Sequence, residues 1–557
     1  MPSEPIEAEL GFPPALSPQQ EEEFRILDQE GPLTLEHALS RSSQRPARDP
    51  EAQYSATQTV VGTPPNEKVS IGDLAAQYRK DGVKIVEFEK GAGEDPREWS
   101  FGKKWYVTGT TSFLCLAVAL GSSIVTGDME GPVATFHTQQ EIVNLTVTCF
   151  VIGFGVGPLL FAPFSEVVGR KPIYMFSMFL YFIFTLPCAL SKNVATLVVC
   201  RQIAGLAASA PMTNVGGTIS DVWAVENRGI PMAIFSGTLF MGPCVGPLVG
   251  GWIGQRAGWR WIYWVLFIFL GVCCVLTAFI PETLAPVILR RKAERLRKET
   301  GDSSYNTIAE MERLPLSTSL KIALTRPLKM MFTEPIILFM SFYLSFLYSL
   351  LYLLFFAFPI AFLEVRGWGL GITGVTFISI MLGIALAIGL MPQQEKVYAR
   401  VTADGSFPEA RLYPMMIGAF LLPSALFIFA FTGAYKHVHW IGVCASGFVF
   451  GVAMIIIYIS ANTYIVDSFS SYAASALAAK TLMRSLVGAT VPLFVTQMFH
   501  GMGFQYAGLL LALVGCAIGP IPFVFYRYGG QIRTRSNMAT KVLRGQGAKG
   551  DPDVGGH

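Results

Sequence analysis

Charge is what this sequence has least of. Asp, Glu, Lys and Arg make up only 15% of its 557 residues, against about 25% in soluble proteins. A soluble chain of this length divides into domains, each needing a charged exterior, so the shortage excludes a soluble protein. An excess of one sign is missing too. Lys+Arg number 42 and Asp+Glu 39, a net charge of +3, and nothing here attracts a nucleic acid. The phosphate-cradling pattern G-x-x-x-x-G-K-[ST] is absent, so ATP hydrolysis within the chain is not expected and an ion gradient must supply the energy. H-E-x-x-H and G-x-S-x-G are absent as well, and neither an enzyme nor a cofactor is expected. The six histidines are scattered: His37 and His557 near the ends, His137, His437, His439 and His500 near loops. No metal site is expected from them. The nine cysteines are odd in number, lack any C-x-x-C pair and sit in apolar runs, which reads as small buried hydrophobes rather than a disulfide framework. The first residues, MPSEPIEAELGFPP, have no basic or apolar signal-peptide region, so insertion is expected to begin with the first span.

What is abundant is apolar sequence: 52% hydrophobic residues, 12% aromatics and a mean hydropathy of +0.46. Residues 1–104 are polar and rich in Pro, Glu, Ser and Gln and read as a disordered cytoplasmic tail. A hydrocarbon core of about 30 Å needs roughly 20 helical residues. Twelve stretches meet this: 105–127, 142–163, 173–191, 194–219, 230–254, 261–281, 336–360, 372–391, 413–433, 439–463, 480–499 and 505–526. Residues 229 to 255 carry no charge, and neither does 485–526, which His500-Gly501-Met502-Gly503 breaks in two. The expected fold is an all-α membrane protein of twelve transmembrane helices in two six-helix bundles. The bundles span 105–281 and 335–527, joined by a central loop at 282–334 and followed by a tail at 528–557. Basic residues collect in alternate loops, at Arg170, Lys171, Arg228, Lys396, Arg400 and Arg411, and in the central loop from Arg290 to Lys298. This bias puts those loops and both termini in the cytoplasm.

An internal echo accompanies the halves. Glu166, Gly169, Arg170 and Lys171 follow span 2, while Glu409, Ala410 and Arg411 precede span 9. Asn214 and Asp221 at the end of span 4 resemble Asn462 and Asp467 at the end of span 10. Two related halves around a midplane site are a transporter plan. The carboxylate and cations after span 2 form a conformational latch in this reading. Positive-inside decoration explains Arg170 and Lys171 but not Glu166 or Gly169. A second latch is expected where Lys480 and Arg484 start span 11, near Asp467.

Arg201 and Gln202 lie within LVVCRQIAGLAAS of span 4. An arginine two turns inside a span is costly unless paired or hydrated. It reads as a cavity-facing cation sensing protons or cargo, with snorkelling to the interface as the bland alternative. Span 5 carries Gly237, Gly242, Pro243, Gly246, Pro247, Gly250 and Gly251, a series suited to close and kinked helix packing. Gly153, Gly155 and Gly157 in span 2 read as helix-packing residues. Tyr343, Tyr348 and Tyr352 in span 7, with Asn144, Gln202 and Asn462, are candidates for a greasy cargo cavity bearing a few hydroxyls and amides. Lipid-facing aromatics are the alternative for span 7.

Together these motifs resemble the major facilitator superfamily, and within it the fungal twelve-span drug:proton antiporters. The resemblance covers about residues 100 to 530. GPLLFAPFSEVVGRKPIY is similar to that group's loop 2–3 signature, CRQIAG to its span 4 arginine motif, and GTLFMGPCVGPLVGGWI to its span 5 antiporter motif. GWRWIYW, PETLAPVILRRKAERLRKETG, PEARLYPMMIG and ANTYIVDSFSSYAASALAA look like further hallmarks. By this resemblance Arg201 takes part in proton coupling, the span 5 Gly and Pro residues shape the exchange step, and Asp221 joins Arg170 in the latch. Val167 departs from the basic residue often found in that loop. Asp128 and Glu130, in TGDMEG after span 1, are an unusual acidic pair and a candidate point of proton access, or only an outer loop.

The expected function is proton-coupled export of small organic molecules by alternating access across the plasma membrane, with protons and cargo as partners and a monomer sufficing. Polyamine export is the near alternative. No carboxylate lies deep in a span, however, so a dication lacks its partner and neutral or weakly charged amphipathic cargo is expected. A proton-coupled nutrient symporter is a second alternative, against which the span 5 series counts. A non-transporting receptor or scaffold is the alternative of another class.

Overall fold

The computed structural model describes residues 83–89, 91, 93–224, 227–311, 316–401, 407–536 and 538–539. Twelve of its helices are long and apolar enough to cross a membrane. They are α1 (Phe101–Gly127), α2 (Gln140–Val168), α3 (Arg170–Ala189), α4 (Val194–Val222), α5 (Gly229–Ala257), α6 (Trp259–Phe279), α7 (Pro335–Glu364), α8 (Leu370–Tyr398), α9 (Pro408–Gly433), α10 (Ile441–Ser468), α11 (Ala473–Met502) and α12 (Phe504–Arg535). Their number and order match the expectation, but most run past the apolar limits. Hydropathy marks where hydrocarbon ends, whereas helical hydrogen bonding continues into the polar region beyond it. The side of the molecule that carries residues 282–334 is called the loop side below, and the opposite one the far side.

In hydrocarbon, helices associate through packing rather than through water exclusion. Small residues therefore mark the contacts. α2 lies along α4, α1 along α5, α7 along α11, and α10 between α8 and α9. Gly153 and Gly157 of α2 face the α4 backbone, and Gly205 of α4 faces α2: a methyl group on Gly205 would sit 2.7 Å from the Phe150 Cα. Gly155, between them, instead abuts Ser485 of α11. The first six spans meet the last six through α2 against α11 and α5 against α8.

The segments outside the spans differ from expectation. Residues 1–82 of the expected tail lie outside the described residues, but 83–98 are built onto the central loop. Lys84–Ile85 pairs in parallel with Tyr305–Asn306. Glu89 and Glu94 both reach Lys292, at 3.2 and 2.8 Å, and Val86 and Trp99 are buried. Acids that look like tail composition are thus counterions of the basic loop helix Ala285–Thr300. A second loop helix, Leu316–Thr333, lies against both α2 and α11. Of the expected C-terminal tail, residues up to Arg535 continue α12, and 540–557 lie outside the described residues. The nine cysteines are free; Cys516 is exposed on α12 rather than buried.

Candidate transport site

At the loop side, α2 gives way to α3 at Gly169, whose φ of 116° only glycine adopts readily. The sharp break aims the first N–H groups of α3 at the carboxylate of Glu282. Arg170 N donates to its Oε1 at 2.9 Å and Lys171 N to its Oε2 at 3.3 Å. An acid is favoured at this positive helix end. Lys171 Nζ donates to the Ala278 carbonyl at the end of α6. The Arg170 guanidinium lies across Gly217 of α4 and donates from Nε to Asp221 at 3.3 Å and from Nη1 to the Ser165 hydroxyl at 2.7 Å. The Ser165 hydroxyl donates to Asn214 Oδ1 at 2.9 Å. One cation thereby ties α2, α3 and α4 together. Glu166 stands close to this cluster, but Asp221 takes the guanidinium.

The same side of the second half has an equivalent and a correction. Asp467 bonds Arg411 at 3.1 Å, and Arg411 also holds Glu395 at 3.0 Å and stacks on the Tyr398 ring. Glu409 forms a buried pair with Arg533 of α12 at 2.9 Å. Arg484 is therefore not Asp467's partner. Hydropathy starts span 11 at Lys480, but the helix begins at Ala473. Arg484 is carried eleven residues in, about 16 Å at 1.5 Å per residue.

α4 does begin at Val194, which puts Arg201 two turns in from the far side. Arg201 is only 1% exposed. Its Nη1 donates to the Gly121 carbonyl at 2.9 Å, Nε to Thr146 O at 3.3 Å and Nη2 to Ser122 O at 3.4 Å, and its guanidinium lies 4.1 Å from the centre of the Phe150 ring. It does not snorkel. Asp128, grouped with it from the sequence, bonds elsewhere: its Oδ1 accepts from Gly131 N at 2.9 Å. Asp128 lies just beyond α1, beside a small cleft lined also by Thr146 and Tyr263, and burial pushes its carboxyl above the usual range.

α5 carries the Gly–Pro series between α1 and α8. Gly242, Gly246 and Gly250, four residues apart and so on one face, meet Ala119, Ser123 and Ile124 of α1. Gly237 and Gly251 face α8, at Ile388 and Leu370. Pro247 has no N–H to give the carbonyl of Pro243, four residues earlier. Ser123 Oγ supplies the missing donor at 2.7 Å. The proline thus creates a bond between two helices.

A central pocket lies between the halves, lined by Ser122, Phe154, Phe240, Tyr348, Tyr352 and Arg484 among others, with room for about one water molecule. Tyr348 hydrogen-bonds Tyr352 at 3.3 Å, and Tyr352 reaches Ser122 at 3.2 Å. Only these two of the six cavity candidates line it. Asn144, in the second turn of α2, donates to the Pro492 carbonyl of α11 at 2.7 Å, closing the far side. Gln202 meets Gly153 through its backbone. Tyr343 is fully buried and its hydroxyl has no hydrogen-bond partner among the described residues. Asn462 accepts from Lys480 at 2.7 Å. Further far-side ties are Gln497 to Glu141 at 2.6 Å and Gly371 N to Gln255 at 2.8 Å. Sequence reasoning missed Glu282, Ser165 and Tyr458, and named Arg411 in the span 9 echo without pairing it with Asp467. The P-E-T motif and the PEARL motif carried the signal for Glu282 and Arg411; nothing local marked the other two.

The Major Facilitator Superfamily model matches residues 111–492. The transporter paaT of Penicillium rubens is 46% identical over 460 residues, 82% of this chain and 84% of its own. The multidrug transporter mdrA of Aspergillus fumigatus is 40% identical over 80% of this chain and 74% of its own. Polyamine transporter 3 of Saccharomyces cerevisiae is 37% identical over 90% and 83%. These relatives are transporters rather than enzymes, and the family model covers more than half of the residues: the chain belongs to the Major Facilitator Superfamily.

Proposed function

We propose that this multi-pass membrane protein is a proton-coupled exporter. It moves small organic molecules such as drugs, toxins or secondary metabolites out of the cytosol across the plasma membrane. In this reading the loop side is cytoplasmic, with both termini, because the basic loops lie there. Residues 105–281 and 335–527 act as two rocking units, and a single chain suffices.

The observation that carries the reading is the placement of the ties between halves. Asn144–Pro492, Glu141–Gln497 and Gln255–Gly371 close the far side around a pocket built from both halves. Alternating access requires those ties to break while loop-side contacts tighten. Arg170 with Asp221 and Arg411 with Asp467 are the latches of that exchange, joined by Gly169, Lys171 and the nearby Glu166. Arg201 and Asp128 are the coupling residues. The α5 series sets how closely α1 and α8 approach as the halves rock. Relatives bear the names multidrug transporter and efflux pump, which supports export over nutrient uptake.

The test is a reconstituted one. Proteoliposomes holding the purified full chain receive an imposed pH gradient and a panel of fluorescent amphipathic compounds. Movement of cargo against its own gradient, abolished by a protonophore, is the expected result. No movement of any compound under the gradient overturns the reading.

A further inference from the structure

Two cations in the middle of the second half have no anionic partner among the described residues. Lys480 and Arg484 are one turn apart on α11, facing the same way, and are 3% and 1% exposed. Lys480 Nζ bonds Asn462 at 2.7 Å and the Tyr458 hydroxyl at 3.4 Å. Arg484 Nη1 shares that hydroxyl at 3.4 Å, and its guanidinium lies 4.2 Å from the centre of the Tyr348 ring. Arg484 Nε and Nη2 are buried without a hydrogen-bond partner among the described residues, although Arg484 lines the central pocket. Three loop-side carboxylates are engaged elsewhere: Asp467 by Arg411, Glu409 by Arg533 and Asp221 by Arg170. Among the described residues no Asp or Glu lines the pocket. Buried charge of one sign with open donors is expensive, and an intramembrane cation of this kind marks a functional site.

We infer that the central pocket, which holds about one water molecule in this closed packing, takes an organic anion when the halves part and widen it, with its carboxylate on Arg484 and its apolar body against Phe154, Phe240 and Tyr352. The planar guanidinium with two open donors fits a carboxylate. The aromatic and aliphatic wall fits an uncharged ring or chain. Lys480 adds a second positive charge one turn toward the loop side, where cargo enters in the proposed cycle. A polyamine meets repulsion here. The inference rests on the exporter reading for its direction of transport, but not for its binding chemistry.

The experiment separates the two. Purified full-length protein in nanodiscs is titrated with a panel of aromatic carboxylic acids, each beside its methyl ester and its primary-amine counterpart. The acids are expected to bind at least about tenfold more tightly than their esters and amines. R484Q is expected to lose that preference while keeping ester affinity, and R484K, which keeps the charge, to retain part of it. R484K also shows that the site tolerates substitution. Equal or tighter binding of the amines, no binding of any acid, or an unchanged acid preference in R484Q overturns the inference. The same panel is then offered to proteoliposomes under a pH gradient. Acids that bind but do not move sink the exporter reading alone; esters or amines that move while acids do not bind sink the anion inference alone.

Discussion

The two halves of the molecule each bury an arginine in the bilayer, and they treat it oppositely. In the first half Arg201 spends Nε, Nη1 and Nη2 on the carbonyls of Thr146, Gly121 and Ser122. In the second, Arg484 has one long bond to Tyr458 and two nitrogens with none. A guanidinium filled by backbone carbonyls is part of the wall, and it joins α4 to α1 and α2. A guanidinium with unpartnered donors beside the pocket is, in the inference above, the group that meets cargo. In the proposed cycle this difference divides the labour of transport, with coupling to shape in the first half and contact with cargo in the second.

Breaking that division at Arg201 carries the largest expected effect. R201A removes charge-assisted bonds worth about 1.5–3 kcal/mol each, and R201K keeps the charge but not the fork. Transport per surface molecule is expected to fall about a hundredfold in R201A, a loss of the size that a few kcal/mol produces, and substantially in R201K. Efflux from sealed vesicles, normalised to surface-labelled protein, measures it. Normal efflux in both variants would mean that Arg201 is only a packing residue.

The first half was also the more legible one from sequence, for a physical reason. α4 starts at Val194 because Asn193 caps it, accepting from Thr196 N at 2.8 Å, and the apolar run starts at the same point. Depth could be counted from there. α11 instead opens with AASALAAKTLMRS, good helix formers with little hydropathy. An apolar window trims that opening and leaves Arg484 at the membrane edge. Asn144 and Asn462 look alike in sequence, but one ties two halves together and the other holds a lysine. Only tertiary contacts tell them apart. Residues 83–98 read as tail in sequence because Glu89 and Glu94 meet their partner, Lys292, only through the fold.

Next in size is the packing of α5 on α1. A methyl group on Gly246 would fall 2.8 Å from Ile124 N and collide with Ser123, and overpacking of this kind costs about 1–3 kcal/mol. G246A is expected to lower turnover by roughly tenfold and to reduce thermal stability. G216A is the control on α4, because its methyl group would meet only Phe235, at 3.8 Å. Scanning fluorimetry and vesicle efflux read both. Equal behaviour of the two variants would refute a special role for the α5 contact face.

The loop-side latches extend the comparison with smaller effects. Arg170 has Asp221 as its carboxylate, whereas Arg411 has both Asp467 and Glu395. Partly exposed pairs contribute about 1 kcal/mol or less. D221N is therefore expected to slow transport several-fold, and D467N less, until E395Q is added to it. A D467N effect larger than that of D221N would reverse the assignment of the stronger latch to the first half.

The smallest effect concerns Asp128, whose carboxyl burial holds above its ordinary value of 3.8. The sign follows from linkage. A carboxyl with a raised pKa in the packed state binds its proton more readily there than in an opened or unfolded one. Lowering the pH through the raised pKa toward 3.8 therefore favours the packed state, while at neutral pH the ionised form costs stability. D128N keeps an oxygen for the Gly131 N–H and removes the titration. It is expected to match or slightly exceed the wild type in thermal stability at neutral pH, and to lose the wild type's relative gain at mildly acidic pH. Melting temperatures of both proteins across that range measure the difference. If the gap between them does not change with pH, Asp128 does not sense protons, and coupling in the first half falls to Arg201 and its carbonyl cage alone.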